Sequence, residues 1–366
     1  MLILGIETSC DETAVGIVED GRRLRANAIA SQSALHAAHG GVVPELASRQ
    51  HIRDMQPTLL RALTDAGVTL DDVDAVAVTH GPGLAGALIS GVNTAKSLSL
   101  TLGVPLIGVN HLEGHIYAAW LASGSTGSDG PAPAEEPGFP LACLVASGGH
   151  TDLILMEGHG DYRLVGRTRD DAAGEAFDKA ARVLGLGFPG GPEIQKAAES
   201  LTTFAEDDFE HTELTTLASA PLPRAWMRDT LDFSFSGVKT ALLHRAQDVG
   251  LYPPTDLPQP DTERKVAALA AEFQESLVDV MTAKLLAMAE RYHARGLILG
   301  GGVTANARLR QRILSESPLP AVIPPPVLCT DNGAMIAAGA YYQQQRGEIA
   351  DLSLDVDPSL PFGRPD

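Results

Sequence analysis

The sequence lacks any apolar stretch long enough to span a membrane. Its apolar start, Met1 to Ile6, ends at Glu7, whereas a spanning helix needs about 20 such residues. The same start carries neither a basic segment nor a cleavage site, so we expect no signal peptide. These absences predict a cytoplasmic protein that does not enter a membrane.

Cysteine is also scarce. The three cysteines, Cys10, Cys143 and Cys329, lie far apart and form no CxxC pair. Disulfide frameworks and zinc ribbons need closely spaced cysteines, so neither is expected. This usage fits a reducing compartment such as the cytoplasm.

Basic residues are outnumbered, with 27 Lys and Arg against 46 Asp and Glu and a net charge of −19 at pH 7. Because phosphates favour basic proteins, this balance argues mildly against nucleic acid as a partner. Part of the acid lies in one run, 206–213, and basic residues cluster at 22–25, 224–228 and 308–312. An RNA substrate would therefore need a partner protein or a confined basic strip.

Glycine, in contrast, is plentiful, with 37 residues, and several glycines follow predicted strands. We predict strands at 2–6, 14–18, 24–30, 74–79, 105–109, 141–146, 152–156, 162–166 and 297–300. Helices alternate with several of them, which favours an α/β fold with mixed sheets covered by helices. In such folds ligands bind at the carboxyl ends of the strands, where the glycine turns fall.

Two predicted helices are long. The first covers 44–63, with a kink at Pro57, and the second includes Val266, Leu269, Phe273, Leu277 and Val280 on one face. The apolar stripe of the first helix is predicted to contain Leu46, Ile52, Met55, Leu59 and Leu63.

The order strand, polar turn, strand, turn, strand occurs twice, beginning at residues 2 and 141. This repetition predicts two related lobes that face each other. We expect an N-terminal lobe at 1–122, a Ser/Gly/Pro-rich flexible loop or linker at 123–138 and a C-terminal lobe at 139–346. The last helix of the second lobe is free to return to the first, and 347–366 form a tail.

The sharpest local pattern is His111-Leu112-Glu113-Gly114-His115. Histidines four residues apart lie on one face of a helix and can share a metal ion. The segment resembles the HExxH motif of zinc peptidases, but Glu113 comes one position later and is rotated away from a metal-bound water. A peptidase is therefore disfavoured. A carboxylate should complete the site, and Asp331 is the candidate, with a helix N-cap as its alternative role.

Two glycine turns predict a nucleotide. Ser147-Gly148-Gly149-His150 exposes backbone N–H groups that can cradle a phosphate, and His150 adds a titratable imidazole. The segment from Gly300 to Asn306 opens a helix, which is a natural site for an anion or an adenine ribose. It is neither a Walker A loop nor a GxGxxG fingerprint, and either segment could be a plain turn.

Asp11 and Glu12 lie in the first turn between two strands. Two acids there can orient a nucleophile or bind a cation with a phosphate, or they can simply form the turn.

Ten segments together resemble the TsaD family, also called the Gcp, YgjD or O-sialoglycoprotein-endopeptidase family. They follow the family order over residues 1–345. Ala146 stands where the family often has Val, the 123–138 loop is longer than usual, and the tail from 347 has no recognised motif. None of these departures is expected to touch the site. The segments are GIETSCDET (5–13), HGGVVPELASR (39–49), GPGLAGAL (81–88), NHLEGH (110–115), SGGHT (147–151), DDAAGEAFDK (170–179), FPGGP (188–192), DFSFSGVK (232–239), GGVTAN (301–306) and CTDNGAMIA (329–337).

The resemblance implies a two-lobed actin/hexokinase/Hsp70-like (ASKHA) fold. It implies transfer of the threonylcarbamoyl group from threonylcarbamoyl-AMP to N6 of adenosine 37, in tRNAs that read codons beginning with A. The implied cofactor is one divalent metal, Fe²⁺ with Zn²⁺ as a rival, held by His111, His115 and Asp331. The implied partners are tRNA, a TsaB-like pseudo-enzyme and a TsaE-like ATPase.

The resemblance also implies functional residues. Asp11 and His150 match catalytic positions, and we add the neighbouring Glu12 as a candidate. The residues expected to contact the adenylate are Val145, Ala146, Ser147, Gly148, Gly149, Asp178, Gly191 and Asn306.

Three other functions remain open on the residues alone. An ATP-dependent kinase or ATPase of the same fold is one, although no sugar-binding signature is found. A metallopeptidase and a non-catalytic nucleotide-binding scaffold are the others.

Overall fold

The computed structural model describes residues 1–121, 137–203, 220–253 and 262–365. The acidic run at 206–213 and most of the predicted 123–138 loop lie outside these ranges. Within them, no helix is both long enough and apolar enough to cross a membrane.

The first sheet has five strands in the order β3-β2-β1-β4-β5. β1 is antiparallel to β2, and β2 to β3, whereas β4 is parallel to both β1 and β5. Nearly every residue of β1 and β4 is buried, as expected for central strands with helices on both faces. The strands are β1 (Leu2–Glu7), β2 (Glu12–Glu19), β3 (Arg23–Ser31), β4 (Ala75–Gly81) and β5 (Leu106–Asn110).

The helices of this half are α1 (Ser33–Ala37), α2 (Pro44–Ala66), α3 (Ala85–Leu102) and α4 (His111–Tyr117). α2 has Pro44 in its first turn and continues through Pro57.

The predicted apolar stripe of α2 is only partly right. Met55 and Leu63 are buried, but Ile52 is 70% exposed. The buried face instead includes Ala47 and His51, each four residues from the next buried position, which is the helical spacing. Hydrophobicity alone misplaced the face because a hydrogen-bonded histidine occupies it.

The second sheet has six strands in the order β10-β9-β6-β7-β8-β11. Apart from β11, this order repeats that of the first sheet: three consecutive antiparallel strands, then two parallel strands beside the first of them. The repeated order agrees with the repetition in the sequence. The strands are β6 (Leu141–Ala146), β7 (Thr151–Gly158), β8 (Asp161–Arg167), β9 (Gly296–Gly300), β10 (Ala321–Val322) and β11 (Arg364–Pro365).

Helices cover this sheet as well. The long helix α8 buries Leu269, Phe273, Leu277 and Val280 in a core that it shares with strand β6, as its spacing predicts. The helices are α5 (Ala173–Val183), α6 (Gly190–Ser200), α7 (Ser236–Asp248), α8 (Thr262–Arg291), α9 (Ala307–Glu316), α10 (Pro326–Cys329) and α11 (Gly333–Gln345).

Helix α11 follows the second sheet in sequence but packs on the first. A Cβ atom at Gly16 would lie 2.1 Å from the backbone nitrogen of Ala334, and one at Gly5 would lie 2.3 Å from the carbonyl oxygen of Gly333. Only glycine permits this approach of strand and helix.

The two mixed sheets with one repeated strand order, each covered by helices, confirm the predicted two-lobed actin/hexokinase/Hsp70-like fold. The exact lobe boundaries stay a prediction.

Candidate functional site

The two histidines of the HxxxH pattern lie side by side on helix α4. Strand β5 ends at Asn110, whose Oδ1 accepts a hydrogen bond from Leu112 N at 2.9 Å and caps the helix. The next residue is His111, and its ring centroid lies 4.6 Å from that of His115. Both imidazoles are buried, so the helix presents a paired donor set inside the protein.

Asp331 joins them from the turn between α10 and α11. Its Oδ1 lies 3.6 Å from Nε2 of His111 and 3.2 Å from Nε2 of His115. The alternative role of Asp331 as helix cap is wrong, because Asn332 caps α11 by accepting a hydrogen bond from Met335 N at 2.9 Å. The Asp331 carboxylate is thus left to face the histidines.

These three residues suit a divalent metal. The ligand atoms of His111, His115 and Asp331 lie within 4.8 Å of one another. His115 is fully buried, and neither ring nitrogen makes a hydrogen bond within the described residues; its contact with Asp331 lacks hydrogen-bond geometry. Burying an imidazole whose nitrogens make no hydrogen bond lowers the stability of the fold, and a bound metal would offset this cost. Two imidazoles with one carboxylate are a common donor set for catalytic Zn²⁺ and Fe²⁺, and they leave coordination positions open.

A second carboxylate lies behind His111. Glu7, at the end of β1, is fully buried, and its Oε2 lies 3.0 Å from Nδ1 of His111. The same oxygen accepts a hydrogen bond from Thr79 Oγ1 at 2.5 Å, and the backbone N–H of Ser9 donates to Oε1. A carboxylate that accepts a hydrogen bond from Nδ1–H fixes the tautomer of the histidine and leaves Nε2 free to bind a metal at the candidate position. No local pattern in the sequence marks Glu7 as a partner of His111, so this contact was not predicted.

The charges of this cluster shift one another's pKa. Burial opposes the charged form of Asp331, but the positive charge of His111 and the interaction with His115 lower its pKa to about 2. Burial also opposes the charged form of His111, yet Glu7 and Asp331 raise its pKa to about 9. Burial lowers the pKa of His115. Without a metal, the protonated imidazole of His111 would therefore lie between the carboxylates of Glu7 and Asp331.

Asp11 lies in the turn between β1 and β2, and Glu12 is the first residue of β2. Burial, together with the negative charges of Asp11 and Asp331, raises the pKa of Glu12 to about 9. Ser31 Oγ donates a hydrogen bond to Glu12 Oε1 at 3.1 Å. Glu12 therefore holds a proton at neutral pH and is suited to donate one.

His51 of α2 is hydrogen-bonded to residues on both sides of Asp11 and Glu12. Its Nε2 donates to the carbonyl oxygen of Cys10 at 3.0 Å, and its Nδ1 accepts from Thr13 Oγ1 at 2.8 Å. The tautomer follows from chemistry, because a carbonyl oxygen can only accept. Cys10 and Thr13 flank Asp11 and Glu12, so His51 restrains both sides of the acidic pair. The sequence pattern offered no sign of this role.

The corresponding turn of the second sheet is open and uncharged. Ser147 N donates to the carbonyl oxygen of His150 at 2.8 Å, and His150 N donates to Ser147 Oγ at 3.3 Å. Gly148 and Gly149 are exposed, and no atom lies within 4 Å of where their Cβ atoms would be. Burial, with the positive charges of His111 and His115, lowers the pKa of His150 to about 4. The turn thus offers free backbone beside a neutral imidazole.

The other predicted adenylate residues differ in what they can offer. Val145 and Ala146 are fully buried strand residues, paired with Asp152 and Thr151 of β7, so their side chains face the core. Gly191 has open space at its Cβ position.

Two predicted polar contacts are engaged within the chain. Asp178 Oδ1 accepts a hydrogen bond from Gly190 N at 2.7 Å, which ties α5 to the start of α6. Asn306 caps α9 by accepting from Leu309 N at 3.0 Å, and its Nδ2 donates to Gln274 Oε1 at 2.8 Å. Both side chains therefore have a structural task already.

The glycine turn after β9 links the nucleotide candidates to the metal candidates. A Cβ atom at Gly300 would lie 2.5 Å from the carbonyl oxygen of His115. Gly301 has φ of +89°, and its Cβ would lie 2.3 Å from the carbonyl oxygen of Ala146. Helix α4, this turn and the end of β6 are therefore packed directly together, and the predicted sites occupy one region.

Comparisons with known proteins agree with this arrangement. The family model described as TsaD, tRNA N6-adenosine threonylcarbamoyltransferase, matches residues 23–338. A protein of that name from Thermomicrobium roseum is 53% identical over 99% of this chain and 97% of its own length. Another from Moorella thermoacetica is 50% identical over 98% and 97%.

A solved structure supports the fold alone. Component A of the (R)-2-hydroxyglutaryl-CoA dehydratase from Acidaminococcus fermentans superposes with a TM-score of 0.51 at 14% identity. The match covers 94% of this chain and 99% of that one.

Proposed function

The chain belongs to the tRNA N6-adenosine threonylcarbamoyltransferase (TsaD) family, and we propose that it works through a metal site at His111, His115 and Asp331. It is a transferase that forms N6-threonylcarbamoyladenosine in tRNA. The donor is threonylcarbamoyl-AMP, and the acceptor is N6 of adenosine 37 in tRNAs that read codons beginning with A.

One observation carries the proposal. Two buried imidazoles and a carboxylate from different parts of the chain converge beside the glycine turn that follows β9, with Gly300 against the backbone of His115. A metal site adjoining a nucleotide site suits transfer from an adenylate, because the ion could stabilise the charge that develops on the phosphate.

The chemistry explains why. The exocyclic amine of adenine is a poor nucleophile because its lone pair is delocalised into the ring. Its nitrogen attacks the carbamoyl carbon, the bond from that carbon to the phosphate oxygen breaks, AMP leaves, and the amine loses a proton. The protein must hold the adenylate, neutralise the growing phosphate charge and orient the amine. A bound divalent ion would supply Lewis-acid stabilisation of that charge.

The chain's own groups divide the remaining tasks. The free backbone around Gly148 and Gly149 would cradle the phosphate or carboxylate of the adenylate, and Gly191 at the start of α6 offers further open backbone. Glu12 retains its proton at neutral pH, because its pKa is about 9. Asp11 and His150, which match catalytic positions of the family, are the candidates for accepting the amine proton, a role worth about 10²–10⁴-fold in rate.

The surface favours assistance in binding RNA. Arg308 and Arg312, two arginines of one basic cluster, both pair with Glu275, Arg312 at 3.3 Å, and Arg312 also pairs with Asp279 at 2.5 Å. Acids of the same chain thus neutralise this cluster. We infer that tRNA binds with the help of TsaB-like and TsaE-like subunits, in the cytoplasm.

A groove between α2 and α3 supports a protein partner. It has a volume of about 420 Å³ and is lined by residues of both helices, among them Ile52 and Ile89. These two side chains are 70% and 46% exposed. Exposed apolar surface of this kind is typical of protein–protein contacts, and a TsaB-like subunit is the partner that we propose.

The metallopeptidase alternative finds no support in the position of Glu113. Its Oε1 accepts a hydrogen bond from Tyr162 Oη at 2.8 Å, and its Oε2 accepts one from Gln343 Nε2 at 2.6 Å. The carboxylate is therefore buried in a network of its own, as the shifted spacing of the motif predicts.

The test is reconstitution. The chain, TsaB-like and TsaE-like subunits, threonylcarbamoyl-AMP and unmodified tRNA are incubated, and the nucleosides are analysed by mass spectrometry. We expect threonylcarbamoyladenosine with the wild type and with His244→Ala, an exposed control, and none with His115→Ala. Equal product from the His115→Ala variant would refute the metal site, and no product from any chain would refute the function.

A further inference from the structure

The C-terminal tail, of which the structure describes residues 347–365, runs along the molecule after helix α11. It first covers the edge of the first sheet, where Ala350 N donates to the carbonyl oxygen of Leu106 at 2.8 Å. It then meets the end of β4 and the turn that follows: Asp357 N donates to His80 O at 2.9 Å, and Gly83 N donates to Pro358 O at 3.2 Å.

Glycines of the first lobe make room for the tail. A Cβ atom at Gly81 would lie 2.0 Å from the carbonyl oxygen of Asp357, and one at Gly108 would lie 2.9 Å from Leu354 Cδ1. Real Cβ atoms do not approach backbone that closely, so any larger residue at Gly81 would displace the tail. The tail is therefore an integral part of the packing.

The tail next reaches the helix that carries both histidines. Asn110 Nδ2 donates to the carbonyl oxygen of Pro361 at 3.2 Å, while Oδ1 of the same side chain caps α4. The ring of Phe362 packs on Tyr162 at 4.7 Å, and Tyr162 is hydrogen-bonded to Glu113 of α4. The tail thus contacts Asn110, the residue that precedes His111, although it touches none of the three candidate metal ligands in these contacts.

The tail ends on the second sheet. Arg364 and Pro365 form β11, parallel to β8, and the Arg364 guanidinium lies 2.6 Å from Asp161 Oδ1. One segment therefore joins the β5 edge of the first sheet, the start of α4 and the outer strand of the second sheet.

We propose that the tail is a positioning segment, which holds α4 and thereby His111 and His115 in register with Asp331 through the Asn110–Pro361 hydrogen bond. Asp331 reaches the site from the other side, on a separate turn. Small movements of α4 relative to this turn would separate the ligands, and metal sites tolerate little displacement. The inference rests on the proposed metal site.

Asn110→Ser separates the two functions of Asn110. Serine is a good N-cap, so the helix retains its capping acceptor, but the shorter side chain cannot reach Pro361. A second variant ends the chain at Asp357, which removes Pro361, Phe362 and Arg364 and keeps the contacts of Ala350 and Asp357. Ser359→Ala, at an exposed position in the same tail, is the matched control.

The first readout is the Zn²⁺ dissociation constant of the metal-free full-length chains, measured by competition with a chromophoric chelator. We expect Asn110→Ser and the truncation to weaken Zn²⁺ binding about 10-fold, the low end of the effect of residues that orient metal ligands. Ser359→Ala should match the wild type. Adding Asn110→Ser to the truncated chain should weaken binding less than twofold further, because both changes remove the same link.

The second readout is transfer in the reconstituted system, where kcat should fall and KM for threonylcarbamoyl-AMP should stay within twofold. Thermal unfolding identifies any variant that fails to fold. Zn²⁺ affinity within twofold of wild type in a folded Asn110→Ser chain, or additive effects in the double variant, would overturn the inference. If the wild type binds no Zn²⁺ or Fe²⁺, the proposed metal site itself is refuted, and the inference with it.

Discussion

The two sheets share one strand order but differ in the turn between their first two strands. In the first sheet, this turn follows the buried Glu7, contains Asp11 and leads into Glu12, the first residue of β2. In the second, the turn consists of Ser147, Gly148, Gly149 and His150, and has no carboxylate. The same strand arrangement therefore places carboxylates at the β1–β2 connection, and exposed glycines with a neutral imidazole at the β6–β7 connection.

The comparison extends to the last parallel strand of each sheet. Strand β5 leads directly into α4, with His111 and His115, whereas β10 leads to α10 and then to the turn with Asp331. Each half thus contributes metal-ligand candidates from the segment after its final parallel strand. A repeated frame brings equivalent segments to the same place, and different side chains on those segments give each half its own task.

The largest effect should come from removing a ligand on either side. His115→Ala in the first half and Asp331→Asn in the second should each reduce product formation at least about 100-fold, since the loss of Lewis-acid stabilisation costs several kcal/mol. Single-turnover transfer with a bound-metal assay measures both effects, and His244→Ala is the control. A large loss for only one of the two would contradict a site shared between the halves.

Glu7→Gln should have the next largest effect. Glutamine keeps the shape but loses the charge that holds the Nδ1 proton of His111, and such changes weaken metal binding about 10–100-fold. Chelator competition on the metal-free chain gives the affinity. Glu12→Gln, in the same half, should leave it within a few-fold, because Glu12 is already protonated at neutral pH. Equal losses in the two variants would indicate a general effect of charge.

Substitution in the second turn should act on the adenylate and spare the metal. The Cβ of Gly148→Ala meets no atom within 4 Å, so the melting temperature should change little. The methyl group would enter the proposed cradle, and the KM for threonylcarbamoyl-AMP should rise about 10-fold, equivalent to about 1.4 kcal/mol. Metal affinity is the internal control. An unchanged KM would remove this turn from the adenylate site.

The smallest effect concerns pH and the support beneath the first turn. Burial lowers the pKa of His51 below its ordinary value of 6.5, so the unfolded chain binds more protons than the folded chain as the pH falls below about 6.5. The contribution of His51 to folding stability is therefore at its full value above about pH 6.5, and it decreases as the pH falls toward the pKa of His51 in the folded chain.

His51→Gln removes this titration and can keep a hydrogen bond to Cys10. The decline in melting temperature from pH 7 to pH 5 should be shallower in the variant than in the wild type. Parallel declines in the two proteins would show that His51 does not titrate in this range.

Particular residues show how far the sequence leads. The spacing of His111 and His115 was sufficient to place them on one helical face, because the periodicity of a helix is local. The same local rule placed Leu269 and Phe273 in the core and turned Glu113 away from the proposed metal position. It failed at Ile52, which is exposed because His51 takes the buried position by hydrogen bonding to Cys10 and Thr13.

Asp331 was proposed from its turn, and only the fold excluded its alternative role as a helix cap. It lies 216 residues after His115 in the chain, and Asn332 takes the capping role. The role of Glu7 was not predicted, because its partner His111 lies 104 residues later in the chain.

The sequence by itself determined most of the strands, the two long helices, the repeated strand-and-turn pattern, the glycine turns and the family. Each follows from periodicity or from motifs within a few residues, which need no knowledge of distant contacts. Only the tertiary structure decided that Glu7 faces His111, that Asn332 frees Asp331, that His51 fastens the acidic turn and that the tail reaches Asn110. These are contacts between segments far apart in the chain, and they depend on packing that no local pattern records.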